Sequence, residues 1–265
     1  IGNPRLDVTD IKKLAELAHS FDIPLIMDNT VATAYLVKPL SLGADIVVNS
    51  TSKYINANSS AISGVITDGG KFKWDTEKYP GMKDFKKFGP FAYTAKLRNG
   101  LFRNTGACLS PQNAFYNSIG METLGLRMER VCDNAKTLAQ FFATEYSDIE
   151  VNYPGLAGSK WHDIATEQFG DKFGGIITIR TGNKKRAFGI IDALKLPLIV
   201  SNIGDTKTLV IHPESTLNVH STQEEKETAG VFDDLIRISV GIEDIEDLKE
   251  DFRRVIKGED ENGES

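Results

Sequence analysis

Two cysteines and four histidines in 265 residues leave little material for disulfide or metal chemistry. Cys108 and Cys132 stand in helix-like surroundings without ligand spacing, which predicts two buried thiols in a reducing cytosol. His19, His162, His212 and His220 form no HxxxH pair and no Cys/His cluster, so a zinc site is not expected. Long apolar runs are lacking too: none approaches the roughly 20 residues needed to cross a bilayer. No charged-then-apolar leader with a small-residue cleavage site is seen. The expectation is a cytoplasmic protein with no membrane partner. Basic excess is also missing. Residues 243–265 hold ten acidic and four basic side chains, which accounts for the whole net charge of −6. The electropositive footprint of a nucleic-acid binder is therefore absent, and no nucleic-acid partner is expected. Nor does a G-x-G-x-x-G or a P-loop open a helix, which disfavours a nucleotide-binding module.

What is present is the composition of a globular protein, 40% hydrophobic and 26% charged, long enough for one large or two modest domains. The chain starts Ile1-Gly2-Asn3-Pro4, without an initiator methionine, and reads as a fragment or a processed product. Asp7 and Asp10 have the spacing of an acidic capping box ahead of a helix marked by Ile11, Leu14, Ala15, Ala18 and Phe21. Short apolar strands are predicted at 23–27, 46–48 and 62–67, suggesting an α/β layer with a mostly parallel sheet. Residues 71–100 read as irregular. Helices follow at about 112–124 and 127–145, with Leu124, Met128, Val131 and Ala135 as the inward stripe. Strands are then predicted at 175–180, 208–212 and 235–240, with a helix near 184–194. A last amphipathic helix carries Ile245, Leu248, Phe252, Val255 and Ile256 on one face. Residues 258–265 are acidic, contain no apolar side chain and read as a disordered tail.

One stretch needs explaining. The apolar strand Ile46-Val47-Val48 empties into Ser50-Thr51-Ser52-Lys53. On its own, Lys53 is a lysine snorkelling to the surface from a strand end. Asp28, alone, is a turn or cap residue, and Ser50 and Ser52 are turn residues. The combination is more informative. If the two strands are parallel, Asp28 and Lys53 emerge at one sheet edge, where open α/β sheets bind ligands. A carboxylate, a lysine and hydroxyls there suit a ligand with a cationic nitrogen, an aldehyde and a phosphate. Pyridoxal 5'-phosphate (PLP) has all three.

Asp28-Asn29-Thr30 and Ser50-Thr51-Ser52-Lys53-Tyr54 resemble paired motifs of the PLP-dependent enzymes of cysteine and methionine metabolism. The resemblance continues through Lys96-Leu97-Arg98, Ser110-Pro111, Glu122-Thr123-Leu124 and Leu126-Arg127-Met128-Glu129-Arg130. It resumes at Asn202-Ile203-Gly204-Asp205, at residues 208–213 and at residues 235–243, so it covers nearly the whole chain. The Asn-Ile-Gly-Asp and Leu-Arg-Met-Glu-Arg forms are most similar to O-acetylhomoserine sulfhydrylases.

That resemblance implies an aspartate aminotransferase-like (fold type I) α/β architecture. Residues 1–105 would be the C-terminal part of a PLP-binding large domain, 106–145 connecting helices, and 146–257 a smaller α+β domain. It implies Lys53 as the catalytic Schiff-base residue, Asp28 on the pyridine nitrogen, and Ser50 and Ser52 on the phosphate. Asn3 would contact the ring's 3-oxygen, with Arg237 and Asn202 at the substrate carboxylate. The implied reaction is γ-replacement on O-acetyl-L-homoserine by sulfide or a thiol, in a homotetramer built as a dimer of dimers. Alternatives are a methionine or cystathionine γ-lyase, a cystathionine γ-synthase, or a non-catalytic partner subunit. The family's first third, with its stacking aromatic and Gly-Met phosphate loop, would precede Ile1; without it, exposed edges and apolar faces, weak PLP binding and aggregation are expected. Two departures stand out. Asn56-Ala57-Asn58-Ser59 replaces a Gly-Gly-His-Gly turn, and Leu217-Asn218 replaces a Thr-His pair.

Overall fold

The protein's structure, a computed structural model, describes residues 1–258. Helix α1 (Ile11–Ser20) buries Ile11 and Ala15 and turns its lysines to solvent. Asp10 caps it, accepting from the Lys13 amide at 3.0 Å. Asp7 lies outside the helix, so the cap is one aspartate and not the expected pair.

Strands β1 (Ile26–Asp28), β2 (Ile46–Ser50) and β3 (Gly64–Asp68) form one sheet in that order. β1 and β2 are parallel, Asp28 lying opposite Val48. Their connection carries α2 (Thr33–Leu36) and a 3-10 turn at Pro39–Leu42, enough chain for the crossover that parallel pairing needs. β3 runs antiparallel to β2, Ser50 opposite Gly64. The 13 residues between them are turns without a helix, so the chain simply folds back. β3 is exposed along most of its length, and Ile26, Ile62 and Val65 show apolar surface to solvent.

The irregular chain expected over 71–100 is largely coiled from Pro80 onward. It runs as 3-10 turns (Pro80–Phe91), α3 (Ala92–Lys96), a π-helical stretch (Leu97–Phe102) and α4 (Arg103–Thr105). Mixed helix types have no common period, which hides them from pattern reading. Cys108 follows in an extended segment and is exposed, which corrects its reading as a buried thiol. The helical pattern around it stops at Gly106, whose φ is +70°. Cys132 is buried, and burial pushes its thiol up to about 12.

Helix α5 (Pro111–Glu122) and the 22-residue α6 (Leu124–Glu145) come next. The expected stripe holds: Met128, Val131 and Ala135 are buried in the core, with Leu124 packed at its margin. Beyond α6 lie β4 (Glu150–Asn152), α7 (His162–Phe169), β5 (Ile176–Arg180), α8 (Lys184–Ala193), β6 (Leu198–Ile199), β7 (Leu209–Ile211), α9 (Gln223–Thr228), β8 (Leu235–Ser239) and α10 (Ile245–Lys257). The strands make a second sheet, ordered β4-β5-β8-β7-β6. β8 runs antiparallel between β5 and β7, and all five of its residues are buried. A central strand of this kind carries Arg237 into the interior. On the helical face α10 buries Leu248 and Phe252, the latter edge-on to Phe142 on α6 at 5.1 Å. Burying one such ring stabilises by about 1.5–3 kcal/mol.

α6 also ties the two sheets together. Asn134, near its middle, donates to the carbonyls of Gly241 and Glu243 at 3.1 and 2.9 Å, just past the end of β8. Among the described residues no helix is long and apolar enough to cross a membrane. Apart from Gly258, the tail expected over 258–265 falls outside the described residues.

Candidate active site

Parallel pairing brings the ends of β1 and β2 to one edge, with Asp28 opposite Val48 and Ser50 two residues further along β2. The Asn29 amide donates to Val48 O, and the Ser50 amide to Thr30 Oγ1, each at 2.8 Å. Asp28 is exposed, and one carboxylate oxygen accepts from the Thr30 amide at 2.9 Å. Past Ser50 the chain closes tight turns, the Asn56 amide reaching back to Thr51 O at 2.9 Å. These turns set Lys53 at the rim, part-buried, with its Nζ donating to Asn202 Oδ1. Burial, and then the charge of Arg237, hold the Lys53 amine below the ordinary lysine range.

Arg237 arrives from the second sheet, 2% exposed. Its Nη1 donates to Asn3 Oδ1 at 3.2 Å, and its Nη2 to the carbonyls of Ser201 and Asn202 at 3.3 and 3.0 Å. Its Nε is buried with no hydrogen-bond partner among the described residues. Every acceptor is neutral, and burial pushes the guanidinium down to about 10. A buried cation whose described partners are all neutral, beside a lysine, is poised for an anion. Asn202 serves both cations, one through its side chain and the other through its carbonyl.

Hydrogen bonds thus draw four of the expected residues together: Lys53, Asn202, Arg237 and Asn3. Asp28 and Ser50 share the sheet edge. Ser52 is turned elsewhere, its hydroxyl donating to Ser63 O at 3.1 Å and accepting from the Ser63 amide at 2.8 Å. Thr51 and Ser63 are bonded to each other and both receive the Asn117 amide group.

Other supporting residues were not singled out from the sequence. Arg127 on α6 is buried and donates to the carbonyls of Tyr54 and Gly120, each at 2.6 Å, clamping the chain just after Lys53. Gly120 on α5 is needed for the same contact, since a Cβ there would lie 2.1 Å from Ile55 O. Gly204, at φ +74°, would place a Cβ 2.7 Å from the Tyr54 nitrogen. The glycine of Asn-Ile-Gly-Asp is therefore what lets that segment rest on the Lys53 turn. Only the motif membership of Arg127 and Gly204 could have pointed to them.

A lysine and a carboxylate on one edge of an α/β sheet, faced by a buried arginine from a second sheet, is the arrangement of a PLP-dependent enzyme acting on an amino acid. The chain belongs to the Cys/Met metabolism PLP-dependent enzyme family, which matches residues 1–257. It is 42% identical to an O-acetyl-L-homoserine sulfhydrylase of Corynebacterium glutamicum, over 95% of this chain and 61% of that protein. It is 38% identical to a homocysteine synthase of Schizosaccharomyces pombe, over 97% and 63%. A crystal structure from Campylobacter jejuni, named as an O-acetylhomoserine (thiol)-lyase and carrying a pyridoxyl-lysine phosphate, superposes with a TM-score of 0.90 at 32% identity. That match covers 96% of this chain and 64% of the other. The chain spans less than two thirds of the length of these relatives.

The residues present fit PLP. Lys53 offers an amine of lowered pKa and Asp28 an exposed carboxylate on the same edge, and the buried Nε of Arg237 has no hydrogen-bond partner among the described residues.

Proposed function

We propose that the protein carrying this chain catalyses PLP-dependent γ-replacement on O-acetyl-L-homoserine. Sulfide or a thiol is the nucleophile, and the products are homocysteine or methionine and acetate. The observation that carries this reading is Asn202, which holds the Lys53 amine and the Arg237 guanidinium within the reach of one residue. An α-amino acid presents its nitrogen and its carboxylate one carbon apart, which matches that pairing. The names of the relatives support acetate as the leaving group.

When bound, PLP supplies an aldehyde carbon and an electron-withdrawing ring. Asp28 would accept a hydrogen bond from the ring nitrogen and keep it protonated. Ser50 and Ser52 would hold the phosphate, and Asn3 would contact the 3-oxygen. Arg237 binds the substrate carboxylate through Nε and an Nη as a planar fork, with Asn202 beside it. Lys53 Nζ would take the proton from substrate Cα, and burial, by lowering its pKa, raises the share of free amine. In the overall exchange the Cγ–O bond would break to release acetate and a Cγ–S bond to hydrosulfide would form, and the protons lifted from Cα and Cβ would both be returned to carbon through Lys53. The exposed apolar faces at Ile62 and Phe115 support assembly into a homotetramer, a dimer of dimers.

The test is borohydride reduction of the PLP-treated protein with mass mapping of the Lys53 peptide, alongside an assay of acetate and homocysteine release. Homocysteine formation from acetylhomoserine and sulfide should exceed breakdown of methionine or cystathionine. A protein that fixes no cofactor on Lys53, or that cleaves methionine faster, would refute the reading.

A further inference from the structure

Two residues of the turn after Lys53 hold conformations that side chains rarely adopt: Ala57 at φ +82° and Ser59 at φ +60°. Glycine would occupy either without steric cost, so a side chain kept there calls for a reason. Ala57 has only a methyl group, and its carbonyl accepts from the Thr206 amide at 2.9 Å. Ser59, though exposed, has a hydroxyl that both donates and accepts. It donates to Asp205 Oδ2 at 2.8 Å and accepts from Asn202 Nδ2 at 2.6 Å. Asn202 then presents its Oδ1 to Lys53 Nζ.

Proton directions along this row follow from what each partner can give or take. A carboxylate only accepts, so the Ser59 proton goes to Asp205. Ser59 Oγ, exposed and with two lone pairs, accepts on one of them from the NH2 of Asn202. The Asn202 carbonyl oxygen is thereby turned towards the lysine. Asp205 is itself fixed by the Lys207 amide at 3.1 Å.

We infer that Ser59 is a positioning residue that sets the rotamer and amide sense of Asn202, so that an oxygen and not an NH2 meets the Lys53 amine. For its catalytic meaning this rests on Lys53 being the cofactor lysine of the proposed function; the geometry does not depend on it. Without Ser59, Asn202 is free to turn, and Lys53 Nζ loses its one hydrogen-bond acceptor among the described residues. The charges facing the amine are Arg237 from β8 and, through Ser59 and Asn202, Asp205. With the acceptor gone, repulsion from Arg237 is left unopposed and the ammonium becomes more acidic.

The experiment follows Lys53 in the cofactor-free protein by trace labelling with acetic anhydride across pH, read by mass spectrometry on its peptide. Ser59→Ala removes the hydroxyl and keeps the backbone restriction; Ser59→Gly removes both. Each lowers the labelling midpoint of Lys53 by about one pH unit. Ser59→Gly does so with an unchanged or higher melting temperature. A midpoint that stays put in both, or that moves only in Ser59→Gly, overturns the inference, because the backbone and not the hydroxyl would then govern Lys53. Should both turn variants fail to fold, Asp205→Asn frees the Ser59 proton and gives a smaller shift in the same direction; no shift there overturns the inference equally. Failure of the unaltered holoenzyme to turn over acetylhomoserine would sink the proposed function and leave this measurement standing.

Discussion

Arg127→Met removes the clamp on the chain that follows Lys53. The arginine is buried and reaches Tyr54 O and Gly120 O at 2.6 Å, Thr123 Oγ1 at 3.0 Å and Ile55 O at 3.4 Å. Methionine refills most of the volume but donates nothing. Tyr54 O then has no other donor among the described residues, whereas Gly120 O keeps the Thr123 hydroxyl at 3.4 Å. An orphaned buried carbonyl costs about 1–3 kcal/mol, and bonds to a charged donor contribute about 1.5–3 kcal/mol each. Against this, the guanidinium is itself disfavoured by burial, which lowers its pKa, so part of the loss is offset. The net expectation is a loss of about 2–4 kcal/mol. Urea unfolding measures it, with the slope unchanged so that the midpoint reports stability. Hydrogen exchange of the amides of residues 54–60 should rise more than that of β8. A loss under about 1 kcal/mol, or unaltered exchange, would mean that Arg127 merely lies against the turn.

Arg237→Lys keeps the charge and loses the fork. The Michaelis constant for the amino-acid substrate should rise about 10²–10³-fold while that for sulfide stays within about twofold, on the scale of one or two charged hydrogen bonds. Equal effects on both substrates would count against a carboxylate role. Lys53→Met should abolish borohydride-fixed cofactor and flatten part of the pH dependence of folding. Because the folded pKa of Lys53 is depressed, the folded chain binds fewer protons between the folded and unfolded values, and stability rises with pH through that window. Denaturation midpoints of Lys53→Met and the parent, compared across that window, should diverge on the acid side, with the variant the more stable. Gly120→Ala drives a Cβ to 2.1 Å from Ile55 O and should cost about 1–3 kcal/mol. An unchanged melting temperature would show that α5 does not press on the turn.

Strand ends and motif residues were readable in the sequence because each is a local signal. Ile46 to Val48 announced β2, Asp28 its neighbour, and the apolar spacing of α6 its inward face. The bonds that shape the candidate site span long separations and leave no local trace. Arg127 meets Tyr54 across 73 residues, and Asn202 meets Ser59 across 143. Nothing periodic marks such pairs. β4 and β6 were missed because three residues and two are too few to show alternation. Cys108 was misplaced because a helical composition continued past Gly106, where the backbone turns left-handed. The bond of the Ser52 hydroxyl to Ser63, 11 residues on, is another contact with no local signal.

α6 touches the two halves of the candidate site with two residues of one face. Arg127 holds the turn beyond Lys53, and Asn134 holds the chain beyond β8, which bears Arg237. They are seven positions apart, two helical turns and about 10 Å along the axis. The spacing of lysine and arginine is therefore gauged by a rod and not by a hinge. Adding or deleting a single residue between 127 and 134 would rotate one anchor by about 100° relative to the other, so both could not engage at once. This stretch of helix should be among the least tolerant of length change in the chain.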